Sequence, residues 1–426
     1  MKKVPVMSSM RLEKLPAASI LIAAAAFAMP GAALADGGFN PTFKFFGQAD
    51  VRLAATSGAV SSFDGGFGKL RFGENSAGET GYDLRLTEIS GTLRSQVTSS
   101  LVAQVTAQIA PDERHALDVV EAFLRWRPVS TSRTRFSLKA GAVFPKVSFE
   151  NIGRAWSNVY TLTNSAANTW IAEEFRPVGL EASLQYRADT FDLFGTVGAF
   201  YANDRSGVAL AFRGFTLNAR KVGLWGDIRI GDLPPGRVDE INQPFVEADD
   251  RPGFSLGLSL HHRMLGEFAF YAADNRADTT VVSSKGRLWR TRFVNGAYGR
   301  DFGDWRVGAQ LMYGDTFTTP TDNDAIVVGT EFLSLSGLLA RDVGKTLRLA
   351  FRPEYFKQKD ISTAPPAPDL DESGYAFTFA ATYRFSEHLH LIGEWVHTDA
   401  HRYTKGVATP NELDEDSVQL NIRVRF

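Results

Sequence analysis

The side chains that could do chemistry are few in kind. The 426-residue chain has no cysteine and seven histidines, so thiol catalysis, thiolate metal sites, iron–sulfur clusters and disulfides are all excluded. The histidines stand at 115, 261, 262, 388, 390, 397 and 401. His397 and His401, with Glu394 and Asp399 close in sequence, are the residue types of a metal site or a general base, but their spacing alone fixes no geometry. No Gly-x-Ser-x-Gly motif is present, and no nucleophile stands beside a base, so the pattern predicts no catalytic residue, resident metal or cofactor. What remains is charge. Arg125, Arg127, Arg187, Arg348 and Arg352 recur in segments that also carry Glu121, Lys139, Glu181 and Glu354. A second concentration, Asn151 to Pro177, follows Lys146 and holds Arg154, Trp156, Tyr160, Trp170, Glu173, Glu174 and Arg176. Opposite charges facing one another across water make a transverse field suited to small polar, zwitterionic or anionic solutes. The same charges can instead keep a wall wetted and paired, and Trp156 and Trp170 can either stack a solute or pin the segment in place.

The elements that must position these charges alternate with a period of two. Val418, Leu420, Ile422, Val424 and Phe426 fall on one face, with Gln419, Asn421, Arg423 and Arg425 on the other. Such alternation means a strand with one apolar and one wet face. Tyr375, Phe377, Phe379, Ala381, Tyr383 and Phe385 repeat it, as do Leu389, Leu391, Gly393 and Trp395 against His390 and Glu394. Further strands are predicted over residues 42–55, 84–96, 101–109, 119–128, 135–149, 179–187, 191–201, 306–317, 331–340 and 347–357. Short turns such as Ser386–His388 alternate with long polar stretches such as Thr398–Glu415. The fold predicted is all-β: a transmembrane antiparallel β-barrel of about sixteen strands, with short periplasmic turns and long outer loops. If the partly alternating stretch Val208–Ile230 formed a hairpin instead of a loop, the number would be eighteen. A barrel of this width keeps an aqueous lumen, and its third long loop, 151–177, is expected to fold inward. Trp126, Tyr186, Tyr383 and Phe385, placed before short turns, suit an aromatic girdle.

The amino terminus predicts export. Lys2, Lys3, Arg11 and Lys14 precede an uncharged, alanine-rich run from Ala17 to Met29, and Ala33-Leu34-Ala35 offers small residues for cleavage. Residues 1–35 are therefore expected to be a signal peptide, leaving 36–426 as the barrel. A net charge of −2 at pH 7 gives no basic footprint for nucleic acid.

The Val418–Phe426 run resembles the closing strand of Gram-negative outer-membrane barrels. That resemblance implies outer-membrane lipid and lipopolysaccharide as surroundings, and a role for Val418, Leu420, Ile422, Val424 and Phe426 as an assembly signal for the barrel assembly machinery. Val120-Glu121-Ala122-Phe123-Leu124, Phe136 to Gly141 and Phe144-Pro145-Lys146-Val147-Ser148-Phe149-Glu150 resemble the phosphate-selective (O/P-type) porin family. This second resemblance implies a sixteen-stranded homotrimer passing small anions, although interleaved arginine and glutamate depart from a purely basic ladder. The expectation is a passive diffusion porin for small hydrophilic solutes with weak anion preference. A plugged structural or assembly barrel, and more remotely an outer-membrane hydrolase, are the alternatives.

Overall fold

The computed structural model describes residues 41–75, 78–230, 241–320, 326–363, 370–403 and 411–426. The expected signal peptide and residues 231–240 of the loop before Pro252 lie outside them. Sixteen antiparallel strands close into a barrel, matching the lower of the two expected numbers. They are β1 (Thr42–Ser57), β2 (Gly81–Gln96), β3 (Leu101–Ile109), β4 (Leu117–Trp126), β5 (Thr134–Ala142), β6 (Val178–Arg187), β7 (Phe191–Tyr201) and β8 (Gly253–His262), followed by β9 (Gly266–Asp274), β10 (Arg290–Phe302), β11 (Trp305–Thr318), β12 (Val328–Val343), β13 (Leu347–Asp360), β14 (Glu372–Arg384), β15 (Leu389–Arg402) and β16 (Asn411–Arg425). Closure comes from β1 pairing with β16, Gln48 opposite Arg425 through Ser57 opposite Asp416. A closed sheet leaves no unpaired edge in lipid.

The period of two does the sorting. Val418, Leu420, Ile422 and Val424 are exposed on the outer face, as are Leu184, Leu256, Leu311 and Leu349. The intervening Ser417, Gln419, Asn421 and Arg423 are buried inside. Trp126, Tyr186, Tyr383 and Phe385 are exposed next to the short turns, and Phe302 and Trp305 join them across the Gly303-Asp304 turn. Among the described residues no helix is long and apolar enough to cross a membrane.

Three local expectations need adjustment. β5 stops at Ala142 instead of running to Phe149. Gly141 has φ +132°, a Cβ there would meet the Ala122 carbonyl oxygen at 2.3 Å, and Pro145 has no N–H to offer the ladder. The chain leaves the wall there, Val143 N–H donating to Pro177 O at 2.9 Å as the two ends of the third long loop part. Thr398–Glu415 is not one long loop, because β15 and β16 continue through most of it. Its outer face is polar, so the alternation ceases to read as apolar against polar, yet Thr398, Ala400 and Glu415 are fully buried on the inner face. Val208–Ile230 stays out of the wall, as sixteen strands require. It forms a helical turn, α2 (Val208–Arg213), then extended chain ending in a two-residue ladder, Ile228–Arg229 with Ile241–Asn242.

Candidate functional site

Three segments enter the barrel from its long-loop end, the first being the loop between β1 and β2, whose buried Lys69 and Leu70 meet Glu415 on the wall and Leu217 of the fourth loop. The third loop, between β5 and β6, carries helix α1 (Ala166–Glu174), every residue of which is buried. The fourth, between β7 and β8, brings in α2 and the chain after it. The wall they meet differs from side to side.

Along β12–β16 and β1, inward charges are spent on holding the loops. Arg352 is fully buried and donates to Glu354 Oε1 at 2.8 Å and to Thr161 Oγ1 and Thr163 O, both at 2.7 Å. Glu354 accepts the N–H of Ala166 at 2.9 Å, placing a carboxylate at the first turn of α1, where the helix dipole favours it. Glu394 accepts the Leu162 and Thr163 N–H groups at 2.5 and 3.0 Å. Arg348 forms a two-point pair with Asp342 at 2.9 and 2.7 Å and reaches Val159 O at 3.3 Å. Arg423 binds both Asp50 oxygens at 2.8 Å. For the fourth loop, Arg402 pairs with Glu372 at 2.6 Å while donating to the Ala211 and Phe212 carbonyls, and Lys69 meets the same carboxylate at 2.8 Å. Gly214, at φ +83°, allows this approach, since any Cβ would collide with Glu372. Burial pushes the Lys69 ammonium down to about 8.

The loops are also fastened to each other. Glu174 accepts the N–H groups of Gly207 and Leu210 at the start of α2, and Glu173 pairs with Arg213 and accepts from Asn218 Nδ2 at 3.0 Å. Burial pushes the Glu174 carboxyl up to about 8. Arg176 lies over Phe144, its guanidinium carbon 4.0 Å from the ring centre, and donates to Ala172 O and Val222 O. These three residues were expected on a pore surface; the structure places them inside the packing between the loops. Trp170 packs against Phe293 and Phe332 at 5.0 and 5.2 Å, Phe215 against Phe332 and Phe356, and Trp156 stacks on Phe144 at 4.8 Å. Both tryptophans therefore pin the loop. A polar gap of about 10 Å³ remains between the two loops and the wall, lined by Asp50, Arg52, Glu88, Asn158, Lys221 and Arg423 among others. That is room for about one water molecule.

At the short-turn end of β2–β6 the wall is different. Arg94, Arg125 and Arg135 are half-buried and Arg127 and Arg187 exposed, all on the inward phase fixed by the register that sets Arg125 opposite Lys139 and Lys139 opposite Glu181. Lys139 pairs with Glu181 at 2.8 Å. Among the described residues none of these five arginines has a carboxylate within ion-pair distance. Glu121, expected on this surface, is instead buried, accepting from Gln104 Nε2 at 2.8 Å and from the Phe144 N–H where the third loop begins. Lys146 is exposed over the Phe149 ring. Arg154 lies at the seam, donating to Phe426 O at 2.8 Å and Gly47 O at 3.3 Å.

The structure sets Arg125, Arg127 and Arg187 on one inward phase with Arg94 and Arg135, two residues that sequence reasoning did not single out. Both sit in strands already delimited, two or four residues along the inward phase from Thr92 and Lys139, which was the available signal. It also missed Glu372, Arg402 and Lys69, whose partners are far away in sequence. Glu394 faces inward, away from His397 and His401, and so shares no site with them. One group of three carboxylates, Asp204, Glu247 and Asp249, gathers on the fourth loop. They accept the N–H groups of Ala248, Ala202 and Asp278, which accounts for them as loop fasteners.

The family model described as beta-barrel porin-2, OmpL-like, matches residues 238–426. Residues 120–150, which carry the resemblance to phosphate-selective porins, lie outside that match. No curated protein matches the chain. Among solved structures, the outer membrane channel DcaP of Acinetobacter baumannii is similar at TM-score 0.55 and 10% identity, over 92% of this chain and 100% of that one. The anion-selective porin from Comamonas acidovorans is similar at 0.51 and 12%, over 91% and 100%. The trimer form of OmpT, an outer membrane protein of Vibrio cholerae, is similar at 0.51 and 14%, over the same shares. At such identities the likeness is one of fold, and the fold is that of an outer-membrane porin.

Proposed function

We propose that the protein is an outer-membrane porin, a passive channel for small hydrophilic solutes with a weak preference for anions. The observation that carries this reading is the cluster of Arg94, Arg125, Arg127, Arg135 and Arg187 on the inward face, none with a carboxylate partner among the described residues. A wall of uncompensated guanidinium groups in a confined aqueous space lowers the cost of an anion's lost hydration. In this reading the third and fourth loops together set the size limit. Two of the similar structures, one an anion-selective porin and one a trimer, support anion preference and a homotrimer for this chain. The short turns would then face the periplasm after removal of residues 1–35, with Phe426 and its outward companions read during assembly.

A plugged barrel is the second reading, favoured by the apolar packing of Trp170 and Phe215 of the two loops against Phe332 and Phe356 of the wall. Planar-bilayer recording on the refolded barrel in a salt gradient separates the two. Stepwise conductance with a reversal potential toward the anion value supports the porin. A folded barrel that stays silent, and that gains conductance only when residues 154–170 are deleted, establishes the plug instead.

A further inference from the structure

The outer wall carries a set of side chains that conduction does not use. Beyond the apolar band, just past Trp395 and Val418, the outward positions of β15 are His397, Asp399 and His401, and those of β16 are Asp416, Asp414 and Glu412. The register sets His397 opposite Asp416, Asp399 opposite Asp414 and His401 opposite Glu412. Two imidazoles and four carboxylates thus share one exposed patch, and among the described residues no lysine or arginine pairs with any of them.

The two halves of the patch differ in geometry. His401 Nδ1 is 2.6 Å from Glu412 Oε2, closer than two ligands of one ion stand. His397 Nδ1 lies 3.3 Å from Asp416 Oδ1 and 3.8 Å from Asp414 Oδ1, and one ligand atom from each of the three lies within 4.8 Å of the others. Ligands of a tetrahedral ion with bonds near 2.1 Å stand about 3.4 Å apart, so the first two separations fit ligands around a shared ion. The residues behind the group also hold it in shape. Trp395 Nε1–H donates to Asp416 Oδ1 at 2.9 Å, and the His397 ring lies parallel to the Trp395 ring at 6.0 Å, with Tyr375 at 6.3 Å. Tyr375 in turn donates its hydroxyl to Asp399 at 2.8 Å. Outer partners of this kind fix the orientation of metal ligands. The two aspartates would cancel the charge of a divalent ion, and an imidazole with carboxylates suits zinc and its neighbours better than the oxygen-only preference of calcium or magnesium.

We propose that His397, Asp414 and Asp416 form a divalent transition-metal site of the zinc type on the outer rim of the barrel. Three protein ligands leave a fourth position open to water or to an anionic oxygen at the membrane surface.

The test is calorimetric titration of the folded full-length barrel with zinc chloride, repeated on single variants whose fold is checked by circular dichroism and heat-modifiable migration. One ion per chain is expected, and His397→Ala should lower affinity by at least about ten-fold, the scale of losing a ligand or its support. Trp395→Phe, which keeps the ring and removes the N–H on Asp416, should weaken binding by about the same factor. Cobalt in place of zinc should give visible absorption bands that His397→Ala abolishes. His261→Ala, at the short-turn end, should leave binding unchanged. Absence of saturable binding overturns the proposal, as does a His397→Ala variant that binds like the parent. Loss confined to His401→Ala would move the ion to the other half of the patch and overturn the assignment equally.

Discussion

The inner wall has two halves that use the same residue types to opposite ends. On β12–β16 and β1, arginines meet carboxylates and loop carbonyls: Arg352 with Glu354 and Thr163, Arg402 with Glu372 and Phe212, Arg423 with Asp50. At the short-turn end of β2–β6, Arg94, Arg125, Arg127, Arg135 and Arg187 have no such partner, and no side-chain hydrogen bond to a loop, among the described residues. Burying a charge is tolerable only when it is paired and hydrogen-bonded, so the covered half must be neutral overall, while the uncovered half can afford a net field. The first half holds the loops; the second is where a permeating ion would feel the protein.

That comparison can be broken at several places. The largest effect is expected from Arg352→Ala, which leaves Glu354 and Glu150 buried without their cation. Removing one partner of a buried pair costs about 3–5 kcal/mol, and here the loss should appear as faster hydrogen exchange across residues 161–174 and a wider, noisier conductance. Unaltered exchange would mean that the covered half does not hold the third loop. Next comes Arg125→Glu with Arg127→Glu, which should move the reversal potential toward cations while leaving exchange in α1 unchanged. An unmoved reversal potential would remove the uncovered half from the permeation path.

A smaller effect follows from Glu174. Its carboxyl is raised from 4.5 to about 8 by burial, so the packed loops hold its proton more tightly than the unfolded chain does. The stability this adds is fully present below pH 4.5 and is lost as pH rises through about 8. Protection of α1 and α2 against exchange should therefore fall between about pH 4.5 and 8 and level off above that, and Glu174→Gln should flatten that dependence. The smallest effect is expected at Lys139 and Glu181, each about one-fifth exposed. Lys139→Ala should cost about 0.2–1 kcal/mol in thermal stability, as exposed pairs do, and a larger loss would mean that the uncovered half is also structural.

The wall was legible because a lipid-facing strand must alternate. β3 and β7 begin and end at the residues that alternation picks out, and the inward phase of Gln48, Asp50, Arg52, His390 and Glu394 follows from it. The interior was less so. Glu354 meets Ala166 across 188 positions and Glu394 meets Thr163 across 231, and no local pattern announces such partners. Glu173 and Glu174 read as pore charges because a carboxylate in a polar loop looks the same whether it faces water or another loop's N–H groups. The extension of β15 and β16 beyond the membrane was hidden for the reverse reason: where both faces are polar, strand and loop have the same composition.

Arg154 adds a matter of timing. It belongs to the third loop, yet the carbonyls it holds are those of Gly47 and Phe426, on the first strand and just beyond the last, the second of them 272 positions away. A contact over that distance forms only after its two ends have been brought together. This clasp on the third loop can therefore form only once the cylinder has shut, so that at Arg154 the inner furnishing of the barrel is latched by the same event that joins its two edges.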